Sequence, residues 1–161
     1  MTRRTSSPVV PIDQVPPEDI SPYRRVVMVV DDEILIADTL AEILSQNGFA
    51  AVAAYDGDDA LETALITPPE MLITDVILPG MNGVELAVTI KRIFPDCKIV
   101  LFSGQAVTSD LLAAAHRAGH HFTLLNKPLP PQQLVALVHE QLNVHVPQQS
   151  AVSAKSAAQR A

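Results

Sequence analysis

Between residues 24 and 143 short apolar runs alternate with longer amphipathic stretches, and this alternation constrains the fold more than any other feature of the chain. Runs such as Val26-Val27-Met28-Val29-Val30 and Met71-Leu72-Ile73 carry no polar residue on either parity. A strand built from them must be covered on both faces, and helices between the strands supply that cover, which is the pattern of a parallel sheet. The runs predict strands at 25–30, 50–54, 71–75, 98–102 and 122–126. Helices are expected at about 33–46, 57–66, 83–94, 107–118 and 130–142. In the first helix Ile36, Leu40, Ile43 and Leu44 keep to one face, and in the third Leu86, Ile90, Ile93 and Phe94 repeat the spacing. Asn47-Gly48 and Gly119 stand where a helix needs a left-handed closing residue, and Pro95 follows the third helix. Right-handed crossovers then give an α/β, doubly wound five-stranded parallel sheet in the order 2-1-3-4-5, with its switch point between the first and third strands.

A chain of 161 residues that is 48% hydrophobic can bury one proper core, so a single folded domain over 24–143 is expected. Residues 1–23, with Pro8, Pro11, Pro16, Pro17 and Pro22, read as an extended N-terminal arm, and 144–161, rich in Ala, Ser and Gln, as a C-terminal tail with no output domain. The net charge of −7 and scattered basic residues oppose direct nucleic-acid binding. Arg3-Arg4 is not followed by a continuous apolar segment, and no stretch reaches the roughly 20 apolar residues that cross a bilayer, so neither export nor a membrane is expected. Cys97 has no second cysteine to pair with, which fits a cytoplasmic location and a packing role.

Chemistry-bearing residues fall at the carboxyl ends of four predicted strands, where open α/β sheets place their ligands. Asp31 and Asp32 follow the first strand, Asp75 ends the third, Ser103-Gly104 follows the fourth and Lys127-Pro128 the fifth. Taken singly, Asp31-Asp32 is an ordinary helix cap and Lys127-Pro128 an ordinary turn. Their coincidence at one edge argues for a divalent-metal and phosphoryl site. Mg²⁺, or Mn²⁺, takes about six oxygens, commonly from one or two carboxylates, waters and phosphate. Asp32 and Asp75 are the expected direct carboxylates, Asp31 acts through water, and the Ile77 carbonyl is the expected backbone ligand. Asp75, kept ionised by the cation and Lys127, can attack phosphorus as a nucleophile. Ser103 and the Gly104 and Val76 amides are expected to donate to phosphoryl oxygens, and Ile77 and Gln105 to flank the pocket.

The order Asp31-Asp32-Glu33, Asp75 with Leu78-Pro79-Gly80-Met81-Asn82-Gly83, Ser103-Gly104 and Lys127-Pro128 resembles the receiver domain of two-component response regulators, of the stand-alone, chemotaxis-regulator-like kind, over about 25–142. The resemblance implies a flavodoxin-like fold in which Asp75 accepts a phosphoryl group from a sensor histidine kinase or a histidine phosphotransfer protein, with Mg²⁺ required. It implies metal binding by the acids at 31 and 32, phosphoryl contacts from Ser103 and Lys127, and a cis Lys127-Pro128 bond. One position departs from the family. A Tyr or Phe usually stands three residues before the lysine, and here it is Leu124, with Phe122 two residues earlier on the same strand parity.

The expected function is therefore that of a phospho-accepting signalling domain rather than an enzyme, whose phosphorylated state changes protein contacts. Two alternatives use the same residues: a phosphorelay intermediate that passes the group onward, and an aspartyl-phosphate metal-dependent phosphatase, against which Ile77 stands where a second acid would be needed. Few residues from Gly104 onward are charged, so the 104–143 face is expected to dock a downstream protein or a second copy in a homodimer. His116, His120 and His121 read as imidazoles gathered at a helix C-terminus in preference to a metal cluster.

Overall fold

The structure, a computed structural model, describes residues 23–104 and 109–142. The expected arm through residue 22, the tail from 144 and Gln105 lie outside the described residues. Five strands and five helices alternate: β1 (Val26–Val30), α1 (Ile34–Gln46), β2 (Ala50–Ala54), α2 (Gly57–Ile66), β3 (Met71–Asp75), α3 (Gly83–Ile93), β4 (Lys98–Ser103), α4 (Ser109–Arg117), β5 (Thr123–Asn126) and α5 (Pro131–Gln141). The sheet is parallel throughout and runs β2-β1-β3-β4-β5.

The absence of polar alternation in the central runs has the expected consequence. Every residue of β3 is buried, as are all but the first residue of β1 and of β4. Successive side chains feed two separate cores. Met28, Val30, Leu72, Ile99 and Leu101 meet Ala60 and Ala64 of α2, Leu86 and Ile90 of α3 and Ala115 of α4. Val27, Val29, Met71, Ile73, Val100 and Phe102 meet Leu44 of α1 and Leu134 and Val138 of α5. Burying each such aliphatic side chain contributes about 1.5–3 kcal/mol, so a one-residue slip of a strand would exchange both cores at once. The register is thereby locked, and with it the height of each strand's carboxyl end: Val30 pairs with Thr74, Asp75 with Phe102 and Ser103 with Asn126.

Helix ends follow their local chemistry. Gly48 and Gly119 adopt φ of 95° and 87°, the left-handed closing geometry. α3 starts with a capping box in which Asn82 and Glu85 bond each other's backbone amides at 2.9 and 3.1 Å. Among the described residues no helix is long and apolar enough to cross a membrane.

Candidate functional site

The carboxyl edge of β1, β3, β4 and β5 brings together Asp31, Asp75, Ser103 and Lys127. Asp31 is fully buried directly after Val30, and its amide donates to the Ala54 carbonyl at 3.2 Å, so its backbone is held by the neighbouring strand. One carboxylate oxygen accepts from the Glu33 amide at 2.9 Å. That bond closes a local turn just ahead of α1, whose own N-cap, Glu33, makes no side-chain capping bond. Asp32 is exposed at the mouth of the site. Asp75 is nearly buried, its Oδ1 accepting from the Ile77 amide at 3.1 Å.

Lys127 unites these groups. Its backbone amide donates to the Ser103 carbonyl at 2.9 Å, which fixes the start of the side chain beside β4. The ammonium lies 3.0 Å from Asp31 Oδ2, 2.8 Å from Asp75 Oδ2 and 4.7 Å from the centre of the Phe102 ring. Burial pulls the Lys127 pKa down, but its hydrogen bonds to Asp75 and Asp31, together with their charges, outweigh that effect and leave it raised. The ammonium therefore stays charged at neutral pH. The Lys127-Pro128 bond is cis, as the resemblance implied. Ser103 is buried at the end of β4, and Gly104 beside it is exposed, with only the Lys127 side chain, among the described residues, within 4 Å of where a Cβ would stand.

The donor set suits a hard divalent cation. Oxygens of Asp31, Asp32 and Asp75 all lie within 4.8 Å of one another, and this is the one such cluster of three among the described residues. Its charge is three carboxylates against one ammonium, a deficit that a dication would offset.

One expectation meets a different geometry. The Val76 amide is not free to face a phosphoryl group, because it donates to the Phe102 carbonyl at 3.1 Å and prolongs the β3–β4 ladder. The amide that does face the Asp75 carboxylate is that of Ile77. Phe122, on the same parity as Leu124, sits away from the Ser103 end of the sheet. It lies before β5, packed on the α4-side core and stacked on His120 with ring centres 5.6 Å apart. Asn126, which pairs with Ser103, is four residues further on, roughly 13 Å at the usual rise per residue. Leu124 is partly exposed on the edge strand.

Gly83 carries a positioning role that its place in the motif did not reveal. A Cβ there would fall 1.8 Å from the Asp75 carbonyl oxygen and 2.9 Å from the Val76 Cα. The start of α3 presses on the backbone that carries Asp75, and the Gly83 amide donates to the Val76 carbonyl at 2.8 Å. Asn82 as an N-cap signals the helix start, but no local signal announces so close an approach to β3. Elsewhere, His116 in the last turn of α4 and His121 just beyond it meet edge to face at 4.1 Å, and Cys97 is buried in the α3-side core.

The family model described as response regulator receiver domain matches residues 27–139. Among solved structures, a signal receiver domain of an HD domain-containing protein from Pseudomonas fluorescens is 26% identical, with a TM-score of 0.69 over 75% of this chain and 96% of that one. A two component transcriptional regulator AraC from Clostridium phytofermentans is 29% identical, with a TM-score of 0.62 over 74% and 92%. Chemotaxis protein CheY4 from Vibrio cholerae is 25% identical, with a TM-score of 0.65 over 73% and 98%. A family match running from β1 into α5, on a five-stranded sheet whose carboxyl edge gathers the acids and the lysine, places this chain in one family: it belongs to the response regulator receiver domains of two-component systems.

Proposed function

We propose that Asp75 is the phosphoacceptor, taking a phosphoryl group from a sensor histidine kinase or a histidine phosphotransfer protein. The observation that carries this reading is the Lys127 ammonium held between Asp75 and Asp31, beside buried Ser103. In the transfer an Asp75 carboxylate oxygen forms a bond to phosphorus while the phosphorus–nitrogen bond of the donor's phosphohistidine breaks, and the imidazole nitrogen keeps the electron pair and takes up a proton. Lys127 Nζ and the Ser103 hydroxyl then bind phosphoryl oxygens, and the Ile77 amide, already aimed at Asp75 Oδ1, serves another. Mg²⁺, with Mn²⁺ as a substitute, would be held by Asp32 and Asp75 directly, by Asp31 through water and by the Ile77 carbonyl. When bound it supplies charge neutralisation to the transferring group.

Partner approach is supported by the rim of the pocket. Ile34 and Leu35 at the start of α1, and Ile77 after β3, are large apolar side chains left exposed around the acids. Such a collar suits a partner that presents its histidine from an apolar surface. Phosphorylation then alters the charge at the Ser103 end of β4, and we place the readout on α4, β5 and α5, where the edge strand is open and Leu124 is partly exposed. A downstream protein or a second copy binds there, or the group passes onward in a phosphorelay.

Intact-mass analysis after incubation with Mg²⁺ and a small acyl-phosphate donor tests the assignment. Wild type is expected to gain one phosphoryl group, and Asp75→Asn none. An adduct retained by Asp75→Asn would remove Asp75 from the role.

A further inference from the structure

We propose that the amino-terminal corner of β4 and β5 is a second binding site, for a small multiply charged oxyanion of the phosphate or pyrophosphate class. It lies at the far end of β4 from Ser103, about 16 Å away along the strand, and is independent of the Asp75 pocket. A cavity of about 230 Å³ opens there between the end of α3, the first residues of β4 and β5, and the end of α5. The share of liquid volume taken by one water is about 30 Å³, so the space holds a compact oxyanion in place of several waters.

Its lining is unusual for so acidic a chain. The protein has a net charge of −7, yet Lys91, Lys98, His120 and His121 all line this cavity, and among the described residues no carboxylate does. Lys91 Nζ spends one proton on the Cys97 carbonyl at 2.8 Å and keeps two for a ligand. Lys98 is exposed, and its backbone amide is tied to the Glu70 carbonyl at 2.9 Å, so the strand holds the base of a side chain whose head is free to move. Both imidazoles are held in place by ring contacts, His120 on Phe122 and His121 on His116, and an imidazole offers an N–H donor in either charge state. Thr123 and Gln141 add a hydroxyl and an amide to the wall. Donors of both charged and neutral kinds on a concave surface with no competing acceptor side chain of full charge are what a phosphate oxyanion needs.

The test is calorimetric titration of the full chain without Mg²⁺, so that no cation draws the anion to the Asp75 pocket. Inorganic pyrophosphate and adenosine diphosphate are titrated separately, with sodium chloride at matched ionic strength as the control. Saturable 1:1 binding is expected, with ring-proton NMR shifts on His120 and His121. Equal affinity for the two assigns recognition of the bare oxyanion, and tighter binding of the diphosphate nucleotide assigns a nucleotide source. Lys98→Glu is expected to weaken binding at least tenfold, and Lys98→Arg to retain it. Lys98→Glu is also expected to accept a phosphoryl group at Asp75 as wild type does, which shows that it is folded. Shifts that merely follow ionic strength, or binding unchanged by Lys98→Glu, would overturn the proposal.

Discussion

Cys97 shows how a single side chain reports on its surroundings. Burial pushes its thiol up to about 11 from 9.0, the Lys91 ammonium and a backbone hydrogen bond from Leu72 pull it back, and the Glu70 charge adds slightly to the rise. Only the thiolate is a nucleophile, so at neutral pH the native protein is expected to resist thiol reagents and to react once unfolded in urea. The linkage has a definite sign. The folded pKa is the higher one, so the folded state holds its proton where the unfolded chain has lost it. The thiol's contribution is full below pH 9 and disappears as pH rises toward 11, about 2–3 kcal/mol in all. Tyr23 and Tyr55 are also raised, mainly by hydrogen bonds to Glu70 and Asp38, and both are present equally in a Cys97 variant. Urea unfolding of wild type and Cys97→Ala between pH 8 and 11 separates them: the gap in stability between the two proteins should shrink as pH rises, and a constant gap would refute the linkage.

At the scale of elements, α3 does more than cover the sheet. Its capping box fixes where the helix begins, and Gly83 at its first turn lies against the carbonyl of the proposed phosphoacceptor. Gly83→Ala would force either the helix or the end of β3 to move, since the obstacle is backbone and cannot swing aside. A loss of about 1–3 kcal/mol is expected from overpacking, measured by urea unfolding. Because the shift falls on Asp75 itself, the rate of phosphorylation by a small donor should drop as well, at a urea concentration where the variant is still folded. A variant with normal stability and rate would show that α3 can relax without disturbing β3. The helix was legible from the Leu86, Ile90, Ile93 and Phe94 spacing and from Pro95 beyond its end. The pressure of its first residue on Asp75 was not, because it depends on how two elements approach each other rather than on either pattern.

For the whole molecule, Lys127 is the tie between distant parts of the chain, with Asp31 and Asp75 standing 96 and 52 residues before it. Removing it leaves two carboxylates sharing a nearly buried site with no cation between them. A buried pair broken on one side commonly costs about 3–5 kcal/mol, and the partial exposure of Lys127 lowers the expectation to about 1–3 kcal/mol for Lys127→Ala. Mg²⁺ would supply charge at the same place, so it should stabilise Lys127→Ala more than it stabilises wild type. Thermal unfolding with and without Mg²⁺ reads this directly, and equal increments in the two proteins would mean that the cation does not sit among these acids.

The amino-acid sequence by itself determined the elements, their order, the parallel sheet and the strand ends at which Asp31, Asp32, Asp75, Ser103 and Lys127 gather. Those follow from burial on both faces of short runs, a property written locally in which residues avoid water. Tertiary structure alone decided the directions of the groups: Asp31 inside and Asp32 outside, Lys127 between two acids, the Val76 amide taken by Phe102 and the Ile77 amide turned to Asp75. It also set Phe122 against His120 just before β5, away from the site. Direction depends on strand register and on what packs against each loop, and both are settled only when residues far apart in the chain come into contact.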